Sequence, residues 1–129
     1  MDKKIKILML EDAATDAELE IRELEKAGIN FESKVVNNQA DFEKAVVEYS
    51  PDIVIADYSL PQYHGLMGLF YMQSVKINVP FIMLSGTVPH DLNEILGKSG
   101  VTALVVKSEL SKLPETVRKA LSKNDNKNE

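Results

Sequence analysis

Five short apolar runs, each followed by a stretch with helical spacing, constrain this chain more than any other feature. The runs are Ile5–Leu10, Phe31–Val36, Ile53–Ala56, Phe81–Leu84 and Ala103–Val106. Three of them (IVIA, FIML and ALVV) are continuously apolar, as strands are when both faces of a parallel sheet are covered. The second alternates (FESKVV), which places it at a sheet edge. Helical spacing fills the intervals at Thr15–Ala27, Asn38–Tyr49, Leu66–Lys76, Pro89–Lys98 and Leu113–Leu121, with Gly28, Pro51 and Gly100 as stops. Strand alternating with helix five times specifies an α/β chain. The expected architecture is a doubly wound (βα)5 three-layer sandwich around a parallel five-stranded sheet of order 2-1-3-4-5. Residues 1–121 form one domain on this reading. The last eight residues, SKNDNKNE, hold no apolar side chain, so 122–129 are expected to be a disordered polar tail.

Length and composition narrow the function classes. A chain of 129 residues suits one domain. The absence of Cys excludes disulfides, thiolate zinc sites and thiol nucleophiles, and fits a reducing cytoplasm. No apolar stretch approaches a membrane span. Fifteen Lys and Arg against 20 Asp and Glu give a net charge of −5, which argues against binding a phosphate backbone. That excess is local. Residues 11–25 carry seven acids and one Arg, whereas the remainder holds 13 acids and 14 bases.

In a doubly wound sheet, ligands bind outside the carboxyl ends of the strands. Glu11 and Asp12 follow the first run, Asp57 the third, Ser85 the fourth and Lys107 the fifth. With the first and third strands adjacent, three carboxylates converge, a repulsive arrangement unless a cation neutralises it. Hard oxygen donors suit Mg²⁺, with Mn²⁺ as the alternative. A carboxylate is a competent phosphoryl nucleophile. Lys107 would hold a phosphoryl oxygen as a point charge and Ser85 would donate a hydrogen bond to another.

These residues carry a family resemblance. From about Ile5 to Leu121 the chain resembles the receiver domain of two-component response regulators. It does so through Glu11-Asp12, Asp57 within DYSLP, Ser85 within LSGT, and Lys107, at spacings of 45, 28 and 22 from Asp12 onward. The resemblance implies a flavodoxin-like fold and Asp57 as phospho-acceptor. It implies a Mg²⁺ held by Asp12, Asp57 and the Ser59 carbonyl, with Glu11 acting largely through water. It further implies Ser85 as a switch hydroxyl, Lys107 as phosphoryl partner, and Ser59 and Thr87 as positions that tune dephosphorylation. Their small polar side chains predict a moderately long-lived phosphoryl group. The implied partners are a histidine kinase or histidine phosphotransfer protein and a downstream protein, with phosphorylation-dependent pairing to a second copy. The implied chemistry is confined to the chain's own aspartate, so no enzyme turning over a separate substrate is expected. DYSLP, SGT and Lys-Ser-x-Leu look most like receivers attached to sensory histidine kinases, and Met1 beside the first strand suits an N-terminal module.

Two positions depart from the family pattern. Leu104 stands where an aromatic is usual, and Ser108 follows the lysine where Pro is usual, so a trans bond is expected there. These departures favour the competing reading, a pseudo-receiver acting as a phosphorylation-independent docking or dimerisation module. A flavodoxin-type cofactor protein fits poorly, because EDAATD after the first strand would repel a phosphate. A haloacid-dehalogenase-type phosphatase lacks its second acid, since Ala14 and Ser59 occupy the positions two beyond Asp12 and Asp57. Elsewhere, Asp16, Glu18, Glu20, Glu23 and Glu25 read as the solvated face of the first helix. His64 and His90 read as solvent-facing loop residues, and Met67, Met72 and Met83 as core filling.

Overall fold

A parallel sheet, two of whose strands are buried along their whole length, organises the molecule in the computed structural model, which describes residues 3–58, 60 and 63–127. Strand β1 spans Ile5–Leu10, β2 Phe31–Val36, β3 Ile53–Asp57, β4 Phe81–Ser85 and β5 Ala103–Val106. The helices are α1 (Ala14–Lys26), α2 (Gln39–Glu48), α3 (Gly65–Ser74), α4 (Leu92–Lys98) and α5 (Leu113–Lys127), with a 3-10 stretch at Lys107–Lys112. All strand pairs are parallel, in the order β2-β1-β3-β4-β5. The expected α/β architecture is therefore the observed one.

Alternation along the strands builds two cores. Leu8, Leu10, Val54, Ala56, Phe81 and Met83 pack with Phe42, Leu69, Met72 and Ile95 beneath α2, α3 and α4. Ile7, Met9, Ile53, Ile55, Ile82 and Leu84 pack on the other face with Leu24, Leu113 and Val117 of α1 and α5. Burying each such large side chain contributes roughly 1.5–3 kcal/mol. The β1–β3 register sets Leu10 opposite Ala56, so Glu11 and Asp57 leave the sheet side by side.

Local chemistry fixes the helix ends. The Asn38 side chain accepts from the Asp41 N–H at 2.9 Å to cap α2. The His64 Nδ1 accepts from the Leu66 N–H at 3.2 Å at the start of α3. Gly28, at φ 78°, ends α1 in the left-handed region.

Several expectations need correction. Helix α5 continues to Lys127, so residues 122–127 are helical, where a disordered tail was expected. No Gly or Pro follows Leu121, and extending an existing helix costs far less than starting one. Helix α4 begins at Leu92 after a turn in which the Leu92 N–H donates to the Pro89 carbonyl. Met72 and Met83 are core residues, but Met67 is half-exposed on the outer side of α3.

Candidate functional site

The carboxyl ends of β1, β3 and β5 deliver three charged residues to one point. Glu11 continues the ladder beyond β1, its N–H donating to the Val36 carbonyl at 2.9 Å. This backbone tie draws the Glu11 side chain inward, where it is only 3% exposed. Its Oε2 accepts the Ala13 N–H at 3.2 Å, at the start of α1. Asp12 is exposed. Asp57, the last residue of β3, is 7% exposed. One carboxylate oxygen from each of Glu11, Asp12 and Asp57 falls within 4.8 Å of the others. That spacing and an all-oxygen donor set fit a hard divalent cation, which would offset the repulsion among the acids.

Lys107 enters from the end of β5. Its Nζ donates to Glu11 Oε1 at 3.0 Å, Asp57 Oδ2 at 2.8 Å and Asp16 Oδ2 at 2.8 Å. Burial alone would lower the Lys107 ammonium, but hydrogen bonds to Asp16, Asp57 and Glu11 outweigh it and hold the group above the ordinary lysine range. Burial raises Glu11 above the usual carboxylate range, against hydrogen bonds involving Glu20, Lys107 and Ala13 that lower it.

Ser85 lies buried at the end of β4, its hydroxyl donating to the Thr87 carbonyl, while Thr87 itself is exposed. Leu104 is partly buried against the α2–α4 core. The Lys107–Ser108 bond is trans, as expected. Ser59 lies outside the described residues. His64 caps α3 and stacks edge-on against Tyr58 at 4.4 Å between ring centroids, which gives it a structural task. His90 is exposed. Buried Tyr63 donates to the Glu43 carboxylate at 3.2 Å. A cleft of about 630 Å³ lined by Asp12, Asn38, Glu43 and Tyr63 opens beside Asp12.

Three residues escaped the sequence reading. Asp16 was assigned to the solvated face of α1, yet it is a direct partner of Lys107. Glu20, expected on the same face, is 1% exposed and lies against the Glu11 carboxylate. Burial first, and the Glu11 carboxylate beside it second, push Glu20 up to about 9. The signal was present: Ala17, Glu20 and Leu24 form one buried stripe at helical spacing. The third is Gly65, where a Cβ would sit 2.5 Å from the Asp57 carbonyl oxygen, so only glycine permits α3 to start this close to β3.

Comparison with known proteins agrees with this geometry. The response regulator receiver domain family model matches residues 7–118. The fold is similar to the signal receiver domain of a protein described as a Luxo repressor from Vibrio parahaemolyticus, with a TM-score of 0.86 and 19% identity over 98% of this chain and 96% of that one. A Francisella response regulator receiver domain gives 0.80 at 22% identity, covering 94% and 99%. The response regulator domain of Thermotoga maritima CheB gives 0.75 at 14%, covering 93% and 98%. At these identities the solved structures speak for the fold alone. No curated protein matches the chain by sequence.

Proposed function

The chain belongs to the response regulator receiver domain family, and on that premise we propose that it accepts a phosphoryl group on Asp57 from a phosphohistidine and signals by protein contact. The donor is a histidine kinase or a histidine phosphotransfer protein, and the setting is the cytoplasm. The observation that carries this reading is the convergence on Asp57: its carboxylate lies among Glu11 and Asp12, with the Lys107 ammonium 2.8 Å from Oδ2.

In the transfer, a carboxylate oxygen of Asp57 forms the new O–P bond as the N–P bond of the phosphoimidazole breaks. The departing imidazole nitrogen takes up a proton from solvent. Lys107, already beside the Asp57 carboxylate, donates to a phosphoryl oxygen and carries part of its charge. The Ser85 hydroxyl turns from the Thr87 carbonyl to donate to a second phosphoryl oxygen. A divalent cation held by Glu11, Asp12 and Asp57 would neutralise developing charge when bound. Ser59 and Thr87, both small, leave hydrolytic water unassisted, which makes the acyl phosphate moderately long-lived. No helix among the described residues is long and apolar enough to cross a membrane.

Incubation with acetyl phosphate and Mg²⁺ is the test. One acid-labile phosphoryl group is expected by intact mass, absent in Asp57→Asn and diminished without the metal. An unmodified wild-type chain would overturn the reading in favour of a docking module.

A further inference from the structure

Lys107 has three N–H donors, and all three are committed before any phosphoryl group arrives: to Glu11, Asp57 and Asp16. A phosphoryl oxygen on Asp57 can therefore reach this ammonium only by displacing a partner. The three carboxylates are not equally able to yield. The Glu11 side chain is buried, and stripping its cation would leave an unpaired charge away from water. Asp57 carries the phosphoryl group and stays beside the lysine in either state. The Asp16 side chain is 38% exposed and can exchange the ammonium for water.

Resting on the phospho-acceptor reading above, we propose that Asp16 is a positioning residue that competes with the phosphoryl group for Lys107. Occupancy of Asp57 then releases the first turn of α1 from the end of β5. Asp16 lies in that first turn, whereas Lys107 begins the 3-10 stretch leading to α5. The ion pair between them is a tether across the rim of the sheet. With the site empty, Lys107 holds α1 through Asp16. When the site is filled, the third N–H turns to the phosphoryl group and Asp16 faces water. The negative field of Asp16 opposes the incoming phosphoryl charge as well, so both effects act in the same direction.

Two measurements on the full chain decide the matter. The first is the Lys107 side-chain ammonium signal in ¹H–¹⁵N NMR without any phosphodonor. It should be protected from exchange in the wild type, broadened in Asp16→Asn and recovered in Asp16→Glu. The second is the affinity for trifluoroberyllate, a phosphoryl mimic, in the presence of Mg²⁺. Asp16→Asn should bind it about fivefold more tightly, the equivalent of about 1 kcal/mol for one partly exposed ion pair. Asp16→Glu should restore the wild-type value. An unchanged ammonium signal would overturn the tether, and unchanged or weaker trifluoroberyllate binding would overturn the competition. A wild-type chain that binds no trifluoroberyllate while showing the protected ammonium would refute the phospho-acceptor reading, and the competition with it, while leaving the tether established.

Discussion

Gly65 lies so close to Asp57 that a β-carbon on it would meet the Asp57 carbonyl oxygen at 2.5 Å. The first turn of α3 thus seats directly on the backbone of the acceptor residue, and the Gly65 N–H donates to the next carbonyl, that of Tyr58, at 3.3 Å. Gly65→Ala must push the two segments apart. A loss of about 1–3 kcal/mol in stability is expected from such overpacking, together with slower phosphorylation by acetyl phosphate. Gly97, in α4, has open space around its Cβ position. Gly97→Ala should gain about 0.5–1 kcal/mol from helix propensity and leave phosphorylation unchanged. Equal behaviour of the two variants in urea melts would refute the packing argument.

Removing the ammonium exposes what it holds. Lys107→Met leaves Glu11 and Asp57 buried and uncompensated, so a loss of about 2–4 kcal/mol is expected near neutral pH. The deficit should shrink in mild acid, where Glu11, already raised by burial, takes up a proton. In the wild type, the Lys107 contribution is complete below the unfolded lysine value of about 10.4 and declines as pH rises through its elevated folded value. Urea midpoints of both proteins at mildly acidic, neutral and strongly alkaline pH test this. A pH-independent difference would count against it.

Glu20 makes the opposite prediction, that a natural side chain weakens the fold. With its folded value raised to about 9, the unfolded chain releases a proton that the folded chain retains. Its contribution is complete below the unfolded carboxyl range, near pH 4.3, and is lost progressively as pH rises toward 9. Glu20→Gln should therefore stabilise the protein by about 1–3 kcal/mol at neutral pH, with the gain vanishing near pH 4. Guanidinium melts across that range settle the point; a gain independent of pH would show that ionisation is not its source.

Metal should stabilise the fold by mass action. Mg²⁺ at about one hundred times its dissociation constant adds about 2.7 kcal/mol. Asp12 is the ligand to change, because it is exposed and its loss barely disturbs packing. Asp12→Asn should melt near the metal-free wild type and respond little to added Mg²⁺ in a calorimeter. A wild-type melting temperature indifferent to Mg²⁺ would remove the metal site.

Much of this arrangement was legible because parallel strands end at one rim. Once IVIA, FIML and ALVV are read as buried strands, Asp57, Ser85 and Lys107 are bound to gather there, whatever the loops do. What escaped was decided by direction more than by identity. Glu20 looked like one more acid in an acidic helix, although its place between Ala17 and Leu24 put it on the buried stripe. Asp16 could be recognised only once Lys107 was known to reach back across the rim to α1. Met67 was assigned inward on residue type, and a helix as apolar as α3 offers little contrast between its faces to correct that. The end of α5 was misjudged because a polar tail contains no stop signal, and polarity alone does not end a helix.

The register of β1 carries a consequence for how the chain becomes folded. Leu10 pairs with Val36 on one side and with Ala56 on the other, so the central strand pairing brings Glu11 and Asp57 together at the moment it forms the core. The cation that reconciles them is encoded 50 residues beyond Asp57. A partly folded chain with only β1, β2 and β3 in place holds crowded acids and no ammonium. Docking of β5 relieves that repulsion as well as covering the sheet, and such long-range pairing is characteristic of slow-folding topologies. The charge at the rim therefore ties the two halves of the chain together, because the strand that completes the sheet also brings the ammonium that balances its acids.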